Sequence, residues 1–398
     1  MKKFENVAAN ENNPKWENMI KRELPLEKKQ GDVRTEFERD YTRILYSTAY
    51  RRLKHKTQVF FSPESDHICT RIEHVNYVES ISYTIANTLG LNTELTKAIA
   101  IAHDLGHSPF GHAGEKILNE IMIREEVGDN FWHERNGLNV VDNFILLEGK
   151  DGNRKNLNLT YAVRDGIISH CGEVVEKVLY PREEAIDLVK NYDRPNEYMP
   201  YTWEGCVVKL SDRISYLGRD LEDSLSLKIL SKKQVEHFTN MMNLGKNMNN
   251  TNIISALILD LCENSSPNTG LKFSKQKLDF LNKINKFYIE NVYTSDKLKR
   301  ASKYFKLVLE EIFDCLYSQY DGKNTIDKLK EKYEISPKLI GGFIEWLNIY
   351  LKVENQIGYN KKIFDIKNKK DYAKAIIYYI SGMTDKYAMD MYNEIISF

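Results

Sequence analysis

The chain has 398 residues, 42% hydrophobic and 29% charged, so it is long enough to bury a substantial core and has the composition of an ordinary globular protein. Lys plus Arg and Asp plus Glu each total 57, and this balance excludes a strong overall field for nucleic acid or an anionic membrane. Five cysteines without CxxC spacing argue against a disulfide framework or a thiolate zinc site, and they fit a reducing cytoplasm.

The chain is predicted to be helical almost throughout, because it has only nine prolines and its apolar residues recur at spacings of three and four. Its first residues include two lysines but no apolar signal-peptide core, and no later window approaches about 18 uncharged apolar residues. We therefore expect a cytoplasmic protein that is neither exported nor membrane-spanning.

A segment rich in Arg and Lys, residues 34–60, precedes the first helix of chemical interest. Such a segment is either a solvated face or a source of cations that neutralise a polyphosphate, and the sequence leaves both interpretations open. Arg71 lies three residues before His74 and therefore on a neighbouring face of the same helix. The chain has no GxxxxGK(S/T) segment, which excludes a P-loop nucleotide site.

The predicted helix around residue 74 turns a histidine toward the core. Val78, Ile81 and Ile85 follow His74 at steps of four, three and four, so all lie within about 40° of it around the helix axis. A single histidine on an apolar face is more often a hydrogen-bonded core residue than a metal ligand. The prediction of a site therefore needs further residues.

The next predicted helix ends in an adjacent histidine and aspartate. His103 follows Ile99 by one turn, and Gly106 with Pro109 then stops the helix, which places His103 and Asp104 in its last turn.

Three further polar residues follow on the turn and the start of the next helix: His107, His112 and Glu115. They either cap the helix and hydrogen-bond within the loop, or they exchange protons, since an imidazole titrates near neutral pH and a carboxylate three residues away orients it. His133 joins them or caps a helix of its own.

The segment 207–225 predicts a two-faced helix. Its apolar stripe consists of Val207, Leu210, Ile214, Leu217 and Leu221. Its opposite face carries Asp212, Tyr216, Arg219, Asp220 and Asp223. If Asp212 is a ligand, that polar face lines a cleft rather than facing water, and Tyr216 and Asp220 accompany it at one and two turns.

The combination of His74, His103, Asp104 and Asp212 predicts a hydrolytic metal site. Two imidazoles and two carboxylates suit a borderline-to-hard divalent cation that keeps water on it. After these residues, an Asn-rich stretch at 239–252 marks a candidate boundary. We predict a catalytic core with N-terminal helices over residues 1–235, and a helical C-terminal region packing on it over residues 236–398, where no cluster of metal-ligand residue types occurs.

These residues resemble the metal ligands of the HD-domain phosphohydrolases. The resemblance extends to the deoxyguanosine triphosphate triphosphohydrolase-like branch through RTEFERDYTRILYSTAYRRLKHKTQVF, TRIEHVNYVESI, AHDLGHSPFGHAGE, DRISYLGRDLED and ISGMTDKYA, between about residues 34 and 390. It implies an all-α protein, a multi-helix HD-domain core with additional C-terminal helices.

The resemblance also implies roles for individual residues. A divalent ion (Mn, Mg, Co, Ni, Fe or Zn) is held by His74, His103, Asp104 and Asp212. Acid/base chemistry falls to His107, His112, Glu115 and His133, although the run after His133 departs from the family's usual His-Asn-Ala-Gln. Contacts to substrate are implied for Gln58 and Asp220 at the sugar 3'-hydroxyl, Tyr216 at C2', and Arg71 and Arg213 at the triphosphate.

The activity implied is hydrolysis of a deoxynucleoside triphosphate (dNTP) to deoxynucleoside and inorganic triphosphate. Two alternatives stay open: an HD-type phosphodiesterase or nucleotide pyrophosphohydrolase, and a non-catalytic nucleotide sensor. Family members commonly form symmetric homo-oligomers, and some respond to an allosteric nucleotide or single-stranded DNA. No motif determines the preferred base.

Overall fold

The computed structural model describes residues 2–26, 31–61, 67–148, 154–171, 176–241, 250–351 and 362–397. These residues form seventeen α-helices and one short antiparallel ribbon, in which β1 (Leu147–Glu148) pairs with β2 (Arg154–Lys155). The predicted all-α fold is confirmed. Among the described helices, none combines the length and apolar content that crossing a bilayer requires.

The chain divides into two compact units, each built from three separate stretches. Unit 1 comprises residues 1–46, 64–104 and 158–299, and unit 2 comprises residues 47–63, 105–157 and 300–398. The chain passes from unit 1 to unit 2 between Asp104 and Leu105, within the histidine-rich segment. Residues 242–249 of the Asn-rich stretch lie outside the described residues, so the boundary between residues 235 and 236 stays a prediction.

Nine of the described α-helices lie in unit 1. They are α1 (Trp16–Met19), α2 (Glu36–Leu45), α4 (Arg71–Leu89), α5 (Thr93–Ala102), α8 (Tyr161–Ser169), α9 (Trp203–Ser226), α10 (Lys232–Met241), α11 (Asn250–Asn264) and α12 (Lys275–Tyr288). Helix α5 is central, because it packs against α2, α4, α8 and α9. Its residues 98–102 alternate Ala and Ile and are fully buried, and the small alanines let several helices approach closely.

Local signals fix where the helices of unit 1 begin and end. Thr70 and Glu73 form a capping box at the start of α4, with the Thr70 amide donating to the Glu73 carboxylate at 2.8 Å. Gly90 ends α4 in the left-handed conformation, with φ of 88°. The Asn92 side chain then accepts from the first amides of α5. The lengths of α4 and α5 therefore follow directly from sequence.

Unit 2 contains the remaining α-helices. They are α3 (Thr48–Arg52), α6 (Gly111–Arg124), α7 (His133–Asn139), α13 (Asp296–Tyr317, whose residues 296–299 belong to unit 1), α14 (Thr325–Glu331), α15 (Pro337–Tyr350), α16 (Lys369–Ser381) and α17 (Asp385–Ile396). Its core is formed by apolar faces of α6, α13, α15 and α16, with Ile121, Phe313, Phe343 and Ile376 almost fully buried.

Candidate metal centre

Three helices of unit 1 bring the four predicted ligands together. His74 lies in the first turn of α4, His103 and Asp104 follow the last residue of α5, and Asp212 lies in the middle of α9. Helices α4, α5 and α9 pack against one another, which makes these positions converge. His74 Nε2 lies 3.0 Å from Asp212 Oδ1 and 3.8 Å from Asp104 Oδ2. His103 Nε2 lies 3.5 Å from Asp104 Oδ1 and 3.8 Å from Asp212 Oδ1.

Hydrogen bonds orient both imidazoles with Nε2 toward the carboxylates. His103 Nδ1 donates to the Ala100 carbonyl oxygen at 2.7 Å. His74 Nδ1 lies 3.3 Å from Ser215 Oγ, which in turn donates to the Asp212 carbonyl oxygen at 2.7 Å, so the serine accepts from the imidazole. Oxygen acceptors on Nδ1 fix the tautomer of histidines that ligate metals through Nε2.

The donor set fits a divalent cation. Within the described part of the chain, the buried His103 Nε2 has no hydrogen-bond partner, which is costly for a buried polar atom unless an ion or ligand satisfies it. His74, His103 and Asp104 offer ligand atoms within 4.8 Å of one another, and Asp212 Oδ1 lies 3.0 and 3.8 Å from the two imidazoles. The four side chains provide the mixed nitrogen and oxygen chemistry that catalytic metal sites use.

The aspartates and histidines of the centre shift the pKa values of one another. Burial would raise the pKa of Asp212, but the hydrogen bond from His74 and the nearby histidine charges lower it to about 2. Burial acts against a charged His74, yet the hydrogen bond to Asp212 and the charge of Asp104 raise the pKa of that imidazole. His74 Nε2 and Asp212 Oδ1 lie at hydrogen-bonding distance, and a cation bound by both would take the place of the proton between them.

Arg71 contacts a metal-type ligand directly. Its Nη1 donates to Asp104 Oδ2 at 2.8 Å, and the whole side chain is 1% exposed. Sequence reasoning offered Arg71 as a triphosphate contact, and that role stays a prediction. In the structure, the guanidinium binds one oxygen of the Asp104 carboxylate.

His170 is a residue that sequence reasoning did not single out. It directly follows α8, is 1% exposed, and its ring centre lies 4.9 Å from that of His103. The ligand atoms of His103, His170 and Asp212 lie within 4.8 Å of one another. One signal was available: like His103, His170 comes at the end of a short apolar helix.

On α9, Arg213 and Asp220 are buried, whereas Asp212 and Tyr216 are half-buried. That this face of α9 lines a cleft stays a prediction. Asp220 is 3% exposed and accepts from the Tyr293 hydroxyl at 2.6 Å. Arg213 is 4% exposed and lies 3.5 Å from Asn282 Oδ1. Burial lowers the pKa of Arg213, and a hydrogen bond to Tyr216 opposes that effect. The predicted substrate contacts of Arg213, Tyr216 and Asp220 therefore lie on one helix with Asp212.

The four predicted acid/base residues form a second cluster, which lies in unit 2. His133 Nδ1 is 2.9 Å from Glu115 Oε2, and His112 Nδ1 is 3.5 Å from the same oxygen. The sequence spacing predicted the pair His112–Glu115, but His133 is the nearer partner. Burial would raise the pKa of Glu115, yet the charge of His133 and the hydrogen bonds from both imidazoles hold it well below its ordinary value.

The geometry of this cluster favours proton exchange over metal binding. Its ligand atoms lie within 4.8 Å of one another. However, the rings of His107 and His133 are stacked, with centres 3.8 Å apart and planes 19° apart. Because ring lone pairs lie in these nearly parallel planes, the two imidazoles do not converge on one ion. A carboxylate shared by two imidazoles is compatible with the acid/base role predicted from the sequence, which stays a prediction.

A tight turn places this cluster. Asn136 Nδ2 donates to the Gly106 carbonyl oxygen at 2.6 Å, and a Cβ at Gly106 would overlap the His133 carbonyl oxygen. Phe110 adopts φ of 63°, rare for a bulky residue, and its amide donates to Asp385 at 2.9 Å. Close approach to α7 and a contact to α17 therefore fix the path of the chain between residues 105 and 111.

Gln58 also lies in unit 2, and it is half-buried. The preceding Thr57 donates its amide and hydroxyl to Asp385 Oδ2, at 3.0 and 2.7 Å. The segment is therefore anchored, and the contact of Gln58 with a sugar hydroxyl stays a prediction.

Comparisons with known proteins identify the class of the protein. The HD domain family model matches residues 71–217, a range that contains all four predicted ligands. This match, together with relatives similar along most of the chain, shows that the protein is an HD-domain phosphohydrolase.

Relatives that are similar along most of the chain identify the family within this class. A deoxyguanosinetriphosphate triphosphohydrolase-like protein of Caldanaerobacter subterraneus is 34% identical over 93% of this chain and 87% of its own. Proteins of the same name from Rickettsia bellii (32% identical, 94% of each chain) and Desulfatibacillum aliphaticivorans (36%, 73% of this chain and 75% of its own) are also similar. The chain belongs to the deoxyguanosinetriphosphate triphosphohydrolase-like family.

Proposed function

We propose that the protein hydrolyses dNTPs between the 5'-oxygen and the α-phosphorus, releasing deoxynucleoside and inorganic triphosphate. The observation that carries the proposal is the convergence of His74, His103, Asp104 and Asp212, with the buried His103 Nε2 lacking a partner among the described residues. The names of the relatives support the nucleotide substrate.

These four side chains would hold a divalent cation, which supplies Lewis-acid polarisation of a phosphoryl oxygen and lowers the pKa of water. Arg71 offsets part of the negative charge of the two aspartates. With a dication bound, the set carries a net positive charge, so it attracts an anionic phosphate rather than repelling it. Arg71 also fixes the orientation of Asp104 before any ligand arrives.

The leaving group of this reaction is the 5'-alkoxide of the deoxynucleoside, which needs a proton. We assign that proton to the cluster of His107, His112, Glu115 and His133. Of the four side chains, His112 is 57% exposed, whereas His107 and His133 are buried, so His112 is the member that a ligand reaches most easily. Glu115 and His133 then hold His112 in place and restore its proton.

Three further assignments rest on the family resemblance. Gln58 and Asp220 contact the sugar 3'-hydroxyl, Tyr216 packs at C2' and discriminates against a 2'-hydroxyl, and Arg213 contacts phosphate. Action in the cytoplasm, assembly as a homo-oligomer, and regulation by a second nucleotide or single-stranded DNA belong to the same proposal.

The test is product analysis with each dNTP, alone and in mixtures, in the presence of Mn²⁺, Mg²⁺ or Co²⁺. In ¹⁸O-labelled water we expect equimolar deoxynucleoside and tripolyphosphate, with the label in tripolyphosphate, and slower turnover of ribonucleotides. His112→Ala is expected to lower kcat by about 10²–10⁴-fold at unchanged metal content.

Each alternative has its own outcome in this assay. Pyrophosphate or a nucleoside monophosphate as product would replace the proposal with a pyrophosphohydrolase or phosphodiesterase. Binding of dNTP without turnover under every metal condition would replace it with a nucleotide sensor. Retained turnover in His112→Ala would remove that residue from the role of acid.

A further inference from the structure

We propose that His170 is an additional protein ligand of the divalent ion, coordinating through Nε2 on the side of His103 and Asp212. The inference rests on the metal centre of the proposed function, but it does not depend on the identity of the substrate. None of the sequence motifs or the family comparison assigns a role to this residue.

The position of His170 follows from the packing of α8. That helix contacts both α5 and α9, which carry His103 and Asp212. The rings of His170 and His103 meet edge to face, with centres 4.9 Å apart and planes at 78°. In this arrangement, unlike in parallel stacking, the lone pairs of two imidazoles can converge on one point.

The distances between the ligand atoms of His103, His170 and Asp212 are close to those between ligands of a single ion. Two ligands of one ion, each bound at about 2.1 Å, lie at most about 4.2 Å apart. The ligand atoms of His103, His170 and Asp212 lie within 4.8 Å of one another. A small inward movement of side chains therefore suffices for His170 to enter the coordination sphere.

The tautomer of His170 is fixed in the same way as that of His103. Its Nδ1 donates to the Ile167 carbonyl oxygen at 2.7 Å, three residues back, as His103 Nδ1 does to Ala100. The lone pair of His170 is therefore on Nε2, the nitrogen that a metal would bind. Such a backbone acceptor on the remote nitrogen is typical of histidines that ligate metals.

A buried lysine holds the backbone beside His170. Lys209 is 2% exposed, lies in α9 three residues before Asp212, and donates to the carbonyl oxygen of Cys171. The residue after His170 is thus tethered to the helix that carries Asp212.

The first test uses the unaltered protein loaded with Co²⁺. A histidine that coordinates high-spin Co²⁺ through Nε2 gives one exchangeable, hyperfine-shifted Nδ1–H proton resonance. If His74, His103 and His170 all coordinate, three such resonances are present in H₂O and absent in D₂O. Two resonances would overturn the proposal, whatever the behaviour of any variant.

The second test compares His170→Gln with a matched control, His237→Gln. His237 is exposed and lies in α10, outside the cluster. We expect His170→Gln to lose one hyperfine-shifted resonance, to change the visible absorption of the Co²⁺ complex and to weaken Co²⁺ binding at least about tenfold. The control is expected to match the unaltered protein in all three.

A Co²⁺ spectrum and dissociation constant of His170→Gln equal to those of the unaltered protein would overturn the proposal. If circular dichroism shows that His170→Gln does not fold, the resonance count in the unaltered protein decides alone. Because no nucleotide is present in these experiments, failure of dNTP hydrolysis leaves their outcome unchanged, and the two proposals fail separately.

Discussion

At the scale of single residues, the metal centre depends on side chains that orient other side chains. Ser215 accepts from His74 Nδ1 and donates to the carbonyl oxygen of Asp212, so its hydroxyl ties the His74 imidazole to the backbone of α9. Arg71 fixes Asp104, and the Ala100 carbonyl fixes His103. Such partners determine how closely the ligands approach the geometry that a cation requires before it binds.

Replacing Ser215 by Ala removes the acceptor that orients His74. We expect the divalent metal to bind about 10–100-fold more weakly, because the imidazole is no longer held in one orientation. Isothermal titration with Mn²⁺ measures the effect. Ser211→Ala is the control, since Ser211 is also fully buried and lies one turn earlier on α9. Equal affinity in the two variants would contradict the assigned role of Ser215.

Glu115 gives the protein an acid-sensitive contribution to stability. Its folded-state pKa is depressed, so its stabilising effect is present above the ordinary glutamate pKa of about 4.3 and is lost as pH falls through the folded value. Glu115→Gln is therefore expected to flatten the fall in the free energy of unfolding below about pH 4.3. Urea titrations at several pH values measure it. Parallel curves for both proteins would exclude a contribution from Glu115.

At the scale of elements, most of the predicted site residues lie at or near the ends of helices. The predicted ligands His103 and Asp104 directly follow α5, and the predicted acid/base residues lie around the start of α6 and α7. The ion pair between Arg71 and Asp104 joins the first residue of α4 to the end of α5. The turn from residue 105 to residue 111 is kept tight by Gly106 and by the left-handed Phe110.

Removing the buried ion pair is expected to be costly. Arg71→Met leaves Asp104 beside Asp212 without its cation, and we expect a loss of about 3–5 kcal/mol in the free energy of unfolding without metal. Arg124→Met is the control, because Arg124 also pairs with a carboxylate, Asp314, but is 41% exposed. It is expected to cost no more than about 1 kcal/mol. Equal losses of unfolding free energy in the two variants would show that burial does not strengthen the Arg71–Asp104 ion pair.

Gly106→Ala tests the close approach of the turn to α7. A methyl group there overlaps the His133 carbonyl oxygen, so we expect a loss of about 1–3 kcal/mol and a displaced His133. The control, which measures backbone strain alone, is Gly128→Ala, because Gly128 has φ of 80° and an added Cβ there meets no atom within 4 Å. Thermal unfolding measures the loss, and imidazole NMR resonances report the displacement. An effect no larger than that of the control would refute a steric requirement at Gly106.

Local signals made the helices and four site residues predictable. The apolar spacing after His74, the stop signals after Asp104 and the two faces of α9 each depend on nearby residues. The pairs His133–Glu115 and Arg71–Asp104 were not predicted, because their members are 18 and 33 residues apart and meet only after helices pack. His170 was missed for the same reason, since nothing in α8 alone indicates that its end meets α5 and α9.

At the scale of the whole molecule, the metal-type ligands and the acid/base cluster belong to different units. His103 and Asp104 end the second stretch of unit 1, and His107 lies three residues later in unit 2. No change of composition marks this crossing, so the sequence did not indicate it. The boundary predicted between residues 235 and 236 stays a prediction. The two units are defined by which helices pack together, and the order of residues along the chain does not reveal that packing.

The central claim is that side chains from α4, α5 and α9 hold one divalent cation. An anomalous difference map, recorded at the manganese absorption edge from crystals grown with Mn²⁺, tests it most directly. We expect a peak bonded to the side chains of His74, His103, Asp104 and Asp212. A fully occupied manganese peak elsewhere, with these four side chains still hydrogen-bonded to one another, would contradict it.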